Sequence, residues 1–313
     1  MEGAKAQRAD LLDPATLASL GRIEIVARWI VDGFMTGLHR SARRGFSVEF
    51  ADYRPYQPGD DLRYLDWKIA ARADRWVVRQ FEEETNLRAS IVLDVSRSMA
   101  WSGAAISPRD PAAAARLTKL EYAERLAAAV ALLLLRQRDA VGLIRFDDRI
   151  RTAISPRARR GQWRRIVTGL SDPGRGRASS GPEALAQAAR LITRRGMIVL
   201  ISDQLMEPAD VEQSIRGLRA AGHDVTVLHI IDPAERELPS SAGEALFIDP
   251  ESHSEVPARV AEVKTAYRQT VDHVIEEWRR IFGGAGAGYD VISTDAPFGV
   301  PLRRAFAARQ QLF

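Results

Sequence analysis

No cysteine occurs among the 313 residues. Disulfides, thiol nucleophiles and cysteine-ligated zinc are therefore excluded, and the absence fits a reducing compartment. Long apolar runs are missing too. The longest, "LAAAVALLLL" at 126–135, is half of the roughly 20 residues that a membrane span requires. It reads as a helix buried on most sides, and no membrane association is expected. Residues 1–20, "MEGAKAQRADLLDPATLASL", lack a basic start followed by an apolar core, so no secretory signal is expected; the expected location is cytoplasmic. The chain has no Gly-x-x-x-x-Gly-Lys phosphate loop, no Gly-x-Ser-x-Gly elbow and no His-Glu-x-x-His pair, which removes the common nucleotide, acyl-transfer and zinc-protease signatures. The histidines, at 39, 223, 229, 253 and 273, have no close ligand spacing and read as structural or surface residues.

What is present is ordinary for a globular protein: 46% hydrophobic residues, 27% charged residues and a net charge of +4. That imbalance is too mild to demand an anionic partner, and the length allows one large domain or two small ones. Residues 9–40 carry helical spacing, with Asp13 as cap and Pro14 in the first turn. Residues 41–63 are loop-like, "YLDWKIAARA" suggests a short helix and "RWVVRQFEEE" a strand. From residue 89 short apolar strands alternate with helices. The strands are "ASIVLDVS", "AVGLIRFDD", "IRTAIS", "GMIVLISD", "HDVTVLHIID" and "YDVISTD". The helices fall at about 118–137, 161–170, 182–194, 208–221 and 255–282, and "EALFIDPESHSEV" reads as a hairpin. Such alternation predicts an α/β fold with a mostly parallel central sheet flanked by helices. Ligands of such sheets sit beyond the carboxyl ends of the strands.

Two strands end in acid, Asp94 after "SIVL" and Asp203 after "MIVLIS". Ser96 and Ser98 follow Asp94 at alternate positions, so one loop offers three oxygen donors that can converge on a point. A third loop, "RASSGPEAL", adds Ser179 or Ser180 just ahead of a helix start. Oxygen-only donors suit Mg2+, or Mn2+ in competition with it. The same residues also have a purely structural reading, as helix caps and turn acceptors.

"DVSRSM" at 94–99 resembles the metal-ion-dependent adhesion site of von Willebrand factor A domains. The resemblance implies Asp94, Ser96, Ser98, Ser179 and Asp203 as metal ligands, with Ser179 standing where that family has Thr. It also implies that a partner's Asp or Glu completes the shell. Upstream, "SVEFADYRPYQPGDDLRYLDWKIAARADRWVVRQFEEE" at 47–84, with "VLDVSRSM" and the closing "STDAPFGVPLRRAFAARQ", resembles the bacterial domain of unknown function 58 family. That resemblance covers nearly all of the chain beyond residue 40. It implies a von Willebrand factor A-like domain at 87–313, preceded by an N-terminal helix and an Arg/Asp/aromatic-rich extension at 1–86. It further implies a MoxR-type AAA ATPase as partner, in chaperone or complex-assembly work.

The block containing Tyr53, Tyr56, Tyr64, Trp67, Arg54, Arg63, Arg72, Asp60, Asp61 and Asp66 reads as an intramolecular clamp of paired charges, or as a docking surface of Tyr, Trp and Arg anchors. Seven arginines lie between 149 and 165 with no acid among them, and read as a solvated face. The expected role is a non-enzymatic protein-interaction module. Two alternatives stand beside it. An Asp-nucleophile phosphatase would use Asp94, but Ser96 occupies the position where its acid-base Asp belongs. A nucleic-acid binder would use the arginine run, in which Trp163 is the only aromatic.

Overall fold

The computed structural model describes residues 22–41, 53–56, 76–79, 87–103, 116–172, 181–238, 243–248 and 255–310. The chain divides into two compact units, one made of the chain up to Thr36 with Leu87–Phe313 and the other of Gly37–Asn86. The first turns of helix α1 (Ile23–Ser41) thus belong with the sheet domain rather than with the Arg/Asp/aromatic-rich segment. Its residues Val26, Ala27, Ile30, Val31 and Phe34 are buried, a one-sided stripe at helical spacing. Asp13 and Pro14, the expected start of this helix, lie outside the described residues.

In the smaller unit, strands β1 (Tyr53–Pro55) and β2 (Val77–Arg79) pair antiparallel, Tyr53 opposite Arg79. Beyond them the rings of Tyr56 and Trp76 lie 6.1 Å apart, centroid to centroid. Tyr64, Trp67, Arg63, Arg72 and the three aspartates of the expected clamp, with the short helix expected at 64–73, lie outside the described residues.

The larger unit is built on six strands: β3 (Arg88–Asp94), β4 (Ala140–Phe146), β5 (Ile150–Arg157), β6 (Met197–Ser202), β7 (Asp224–Ile231) and, after the β8–β9 hairpin, β10 (Gly288–Ser293). Their order across the sheet is β10-β7-β6-β3-β4-β5. All neighbours are parallel except the edge strand β5, which returns antiparallel beside β4 through a tight turn. This is the mostly parallel, helix-flanked α/β sheet that the alternating pattern predicts. Strands β3 and β6 are buried almost end to end, as expected for the middle of a sheet covered on both faces.

Helices α2 (Lys119–Arg136), α3 (Gln162–Leu170), α4 (Pro182–Leu191) and α5 (Pro208–Ala220) alternate with these strands. A short α6 (Pro233–Arg236) follows β7, then the hairpin β8 (Glu244–Ile248) and β9 (Glu255–Arg259), the long α7 (Val260–Gly284), β10 and α8 (Gly299–Gln310). On one face, Val92, Ile198, Leu200, Val225 and Val227 meet Leu185 of α4, Val211 and Ile215 of α5, and Trp278 and Phe282 of α7. Helix α2 packs over β3, β4, β6 and β7, with α3 and α8 beside it. It contains "LAAAVALLLL", whose residues 126–134 are all buried, so the longest apolar run is a core helix. Among the described residues no helix is long and apolar enough to cross a membrane.

The sequence reading departs from the structure in three places. The helix expected from 255 begins at Val260, because Glu255–Arg259 are taken up as the second strand of the hairpin, with Leu246 opposite Pro257. The closing segment, read only as a tail, forms helix α8. In the arginine run, Arg151 is not simply solvated. Its guanidinium pairs with Asp147 and Asp148, just before the acid-free window.

Candidate functional site

Each strand end contributes a carboxylate or its support. The parallel pairing of β3 with β6 sets Val92 opposite Leu200 and Leu93 opposite Ile201, so the two chains leave the sheet side by side at Asp94 and Asp203. Asp94 is fully buried. Its Oδ1 accepts the Ser96 amide at 2.9 Å and its Oδ2 accepts the Ser202 hydroxyl at 2.8 Å. Ser202 Oγ in turn accepts the Gln204 amide at 3.0 Å. The loop beyond Asp94 turns into a short 3-10 segment at Ser98–Ala100, which brings the Ser96 and Ser98 hydroxyls within 3.1 Å of each other. The nearby Ser98 hydroxyl also favours the charged form of Asp203. The structure therefore gathers Asp94, Ser96, Ser98 and Asp203 at the carboxyl end of the sheet. Ser179 and Ser180 lie outside the described residues.

The electrostatics of this corner are uneven. Burial, and then the charge of Asp203, push the Asp94 carboxyl up to about 7. Asp203 is equally buried, yet it is held below its ordinary value because the Lys119 ammonium beside it outweighs the desolvation. Lys119 Nζ lies 2.9 Å from Asp203 Oδ2 and 2.5 Å from Glu235 Oε1, with its side chain 1% exposed. Burial pulls the ammonium down, but the two carboxylates more than offset it and keep it charged. Glu235 is itself raised by burial.

Lys119 comes from the first turn of α2, which Thr118 caps in a reciprocal box with Glu121. Glu235 is positioned by the Asp232 cap of α6 at the end of β7, where Asp232 accepts the Ala234 amide at 2.8 Å and the Gly103 amide at 3.0 Å. Sequence reading passed over both Lys119 and Glu235. A lysine in the first turn of a helix opposes the helix dipole, and that misplacement was the available signal for Lys119. Glu235 had a weaker one, the "DPAE" box after an apolar strand.

Gln204 is the third unforeseen residue. It is buried with φ of +56°, a conformation rarely taken by a residue other than glycine. Both polar atoms of its side-chain amide are buried without a hydrogen-bond partner among the described residues. Leu205, next in the chain, is 57% exposed. Of the histidines, His229 in β7 is buried beside this corner. Its Nδ1 lies 2.7 Å from the Tyr289 hydroxyl, and burial pushes the ring down to about 4.

The donor set is two carboxylates and two hydroxyls, all oxygen, with an orphaned buried amide next to them. That chemistry fits a hard divalent ion, which takes one or two carboxylates and keeps several waters. Among the described residues no group of three or more His, Asp or Glu is arranged to hold a metal. Any ion here would depend on the hydroxyls and on water.

Comparison with known proteins places the chain. The model of the family described as "Protein of unknown function DUF58" matches residues 52–279. The uncharacterized proteins Mb1516 of Mycobacterium bovis and Rv1480 of Mycobacterium tuberculosis are each 32% identical over 251 residues, 78% of this chain and 74% of the relative. Among solved structures, it is similar to an aerotolerance-related membrane protein from Bacteroides fragilis, at 18% identity and a TM-score of 0.47 over 72% of this chain and 99% of that one. It is also similar to the VWA domain of SpRpn10, at 12% identity and a TM-score of 0.40 over 69% and 94% of the respective chains.

Proposed function

The chain belongs to the DUF58 family of proteins of unknown function, and from its strand-end corner we propose that it is a non-enzymatic protein-interaction module with a metal-ion-dependent adhesion-type site. The observation that carries the reading is the pairing of Asp94 and Asp203. Two buried carboxylates meet at the ends of adjacent parallel strands, amid the hydroxyls of Ser96 and Ser98. Asp94, Ser96, Ser98 and Asp203 would hold Mg2+ or Mn2+, with Ser179 as the expected fifth ligand. When bound, such an ion supplies a positive centre with open positions for a partner's carboxylate.

The chain's own residues prepare that contact. Ser202 and the Ser96 amide fix the Asp94 carboxylate in one orientation. The buried Gln204 amide has hydrogen-bonding capacity to spare, and Leu205 offers exposed apolar surface beside it. A nucleophilic role for Asp94 is disfavoured, because Ser96 rather than an acid follows two residues on. The proposed partner is a MoxR-type AAA ATPase, following the family resemblance, and the proposed location is cytoplasmic, which the cysteine-free composition fits.

The test is a pulldown of such an ATPase with wild type and Asp94→Ala, in Mg2+ and in EDTA. The expected result is recovery by wild type in Mg2+ that falls at least about tenfold on either change, the loss of one charge-assisted contact or more. Equal recovery in all arms would remove the strand-end corner from partner binding.

A further inference from the structure

Lys119 is out of place in an oxygen-lined ion site, and the inference drawn from it rests on the divalent-ion reading above. An ammonium cannot ligate a cation; it repels one. Two features oppose its position. It lies in the first turn of α2, where the helix dipole already presents positive charge. It is buried to 1% exposure, where an unpaired charge is strongly disfavoured. It also abuts Asp203, a candidate ligand. The chain nevertheless holds it with two carboxylates, Asp203 at 2.9 Å and Glu235 at 2.5 Å. Glu235 is in turn steadied by the Asp232 amide, which donates to its Oε2 at 3.0 Å.

Each of the two partners therefore has a distinct meaning. Glu235 is the part of the arrangement that keeps the lysine in place whatever happens at Asp203. Asp203 is the part it shares with the ion site, its Oδ2 receiving the ammonium and its Oδ1 accepting the Leu205 amide at 3.4 Å. We propose that Lys119 is a tethered counter-cation that competes with a divalent ion for Asp203. The isolated chain then keeps a formed site without metal and binds Mg2+ weakly. Lys119 is a positioning residue that sets ion affinity, and it contributes no ligand.

The experiment is calorimetric titration of MgCl2 and MnCl2 into the full chain. The variants are Lys119→Met, the charge-balanced double variant Lys119→Met/Glu235→Gln, and Asp94→Ala. Removing a unit charge a few ångströms from a dication is worth at least about tenfold in affinity even at the effective dielectric near a protein surface, so Lys119→Met is expected to bind both ions that much more tightly. The single variant leaves two buried acids without their cation and is vulnerable to misfolding. The double variant removes one positive and one negative charge together, and replacing a buried pair by neutral groups is generally tolerated. It has the net charge of wild type, so a gain in affinity over wild type marks the local competition for Asp203 rather than the overall field. If wild type binds in an Asp94-dependent way and the double variant binds no more tightly, the inference about Lys119 falls and the ion site stands. If no variant shows Asp94-dependent heat, both fall.

Discussion

Among the described residues of the larger unit, one arginine and one lysine are buried, and their partners differ in kind. Arg145, one residue before the end of β4, is fully buried and donates to the backbone carbonyls of Gly169 at 2.8 Å and Asp172 at 3.1 Å, with Glu124 at 3.6 Å. Lys119, at the carboxyl end of the sheet, is held by side-chain carboxylates alone, one of them beside Asp94. A guanidinium spread over carbonyls staples the end of α3 to the sheet. An ammonium on two carboxylates is exchangeable, because another cation can take the same oxygens. The comparison separates a structural buried charge from one placed at a site.

Removing each cation singly sharpens the contrast. Lys119→Met should lower stability by about 3–5 kcal/mol, the range for breaking a buried pair by deleting one partner. Millimolar Mg2+ should restore part of that loss, since a ligand that binds only the native state stabilises it. Arg145→Met should lose about 3 kcal/mol, from bonds by a charged donor to buried carbonyls, and Mg2+ should stabilise it no more than it stabilises wild type. Urea melts with and without the ion decide both. Equal rescue of the two variants would erase the distinction.

Acid should act at the strand-end region through His229. Burial holds its folded-state value near 4, below the ordinary 6.5. A depressed histidine contributes stability that is fully present above 6.5 and is lost as pH falls toward 4, because the unfolded chain takes up the proton first. Melting temperatures from pH 7.5 to 4 should fall more steeply for wild type than for His229→Gln, and parallel curves would refute this. The smallest effect belongs to the exposed arginines. Arg159→Ser/Arg160→Ser should change stability by about 0.5 kcal/mol or less, as surface substitutions do. Salt-dependent DNA binding that this change weakened would instead favour the nucleic-acid alternative.

Much of this was legible in the chain because strands announce themselves locally. "SIVLD" and "MIVLIS" are short apolar runs that end in acid, and parallel pairing brings such ends together without further information. Lys119 and Glu235 were not legible as a pair. They lie 116 residues apart in sequence, and which side of α2 faces the corner is decided by packing. Gln204 was hidden for another reason: its left-handed backbone is imposed by the tight exit from β6, where the Ser202 hydroxyl takes up its amide. Helix α8 opens on Gly299 with Pro301 in its first turn, composition that locally reads as loop. Its buried Leu302 and the stacking of Phe298 on Tyr122 at 4.4 Å between centroids supply the tertiary support that the local sequence lacks.

The most direct test is titration of MnCl2 into wild type, Asp94→Ala and Asp203→Ala, each confirmed folded by its melting curve. The account predicts saturable one-site binding by wild type that both substitutions abolish. Binding unchanged by either substitution, or no binding by the wild-type chain, would contradict it.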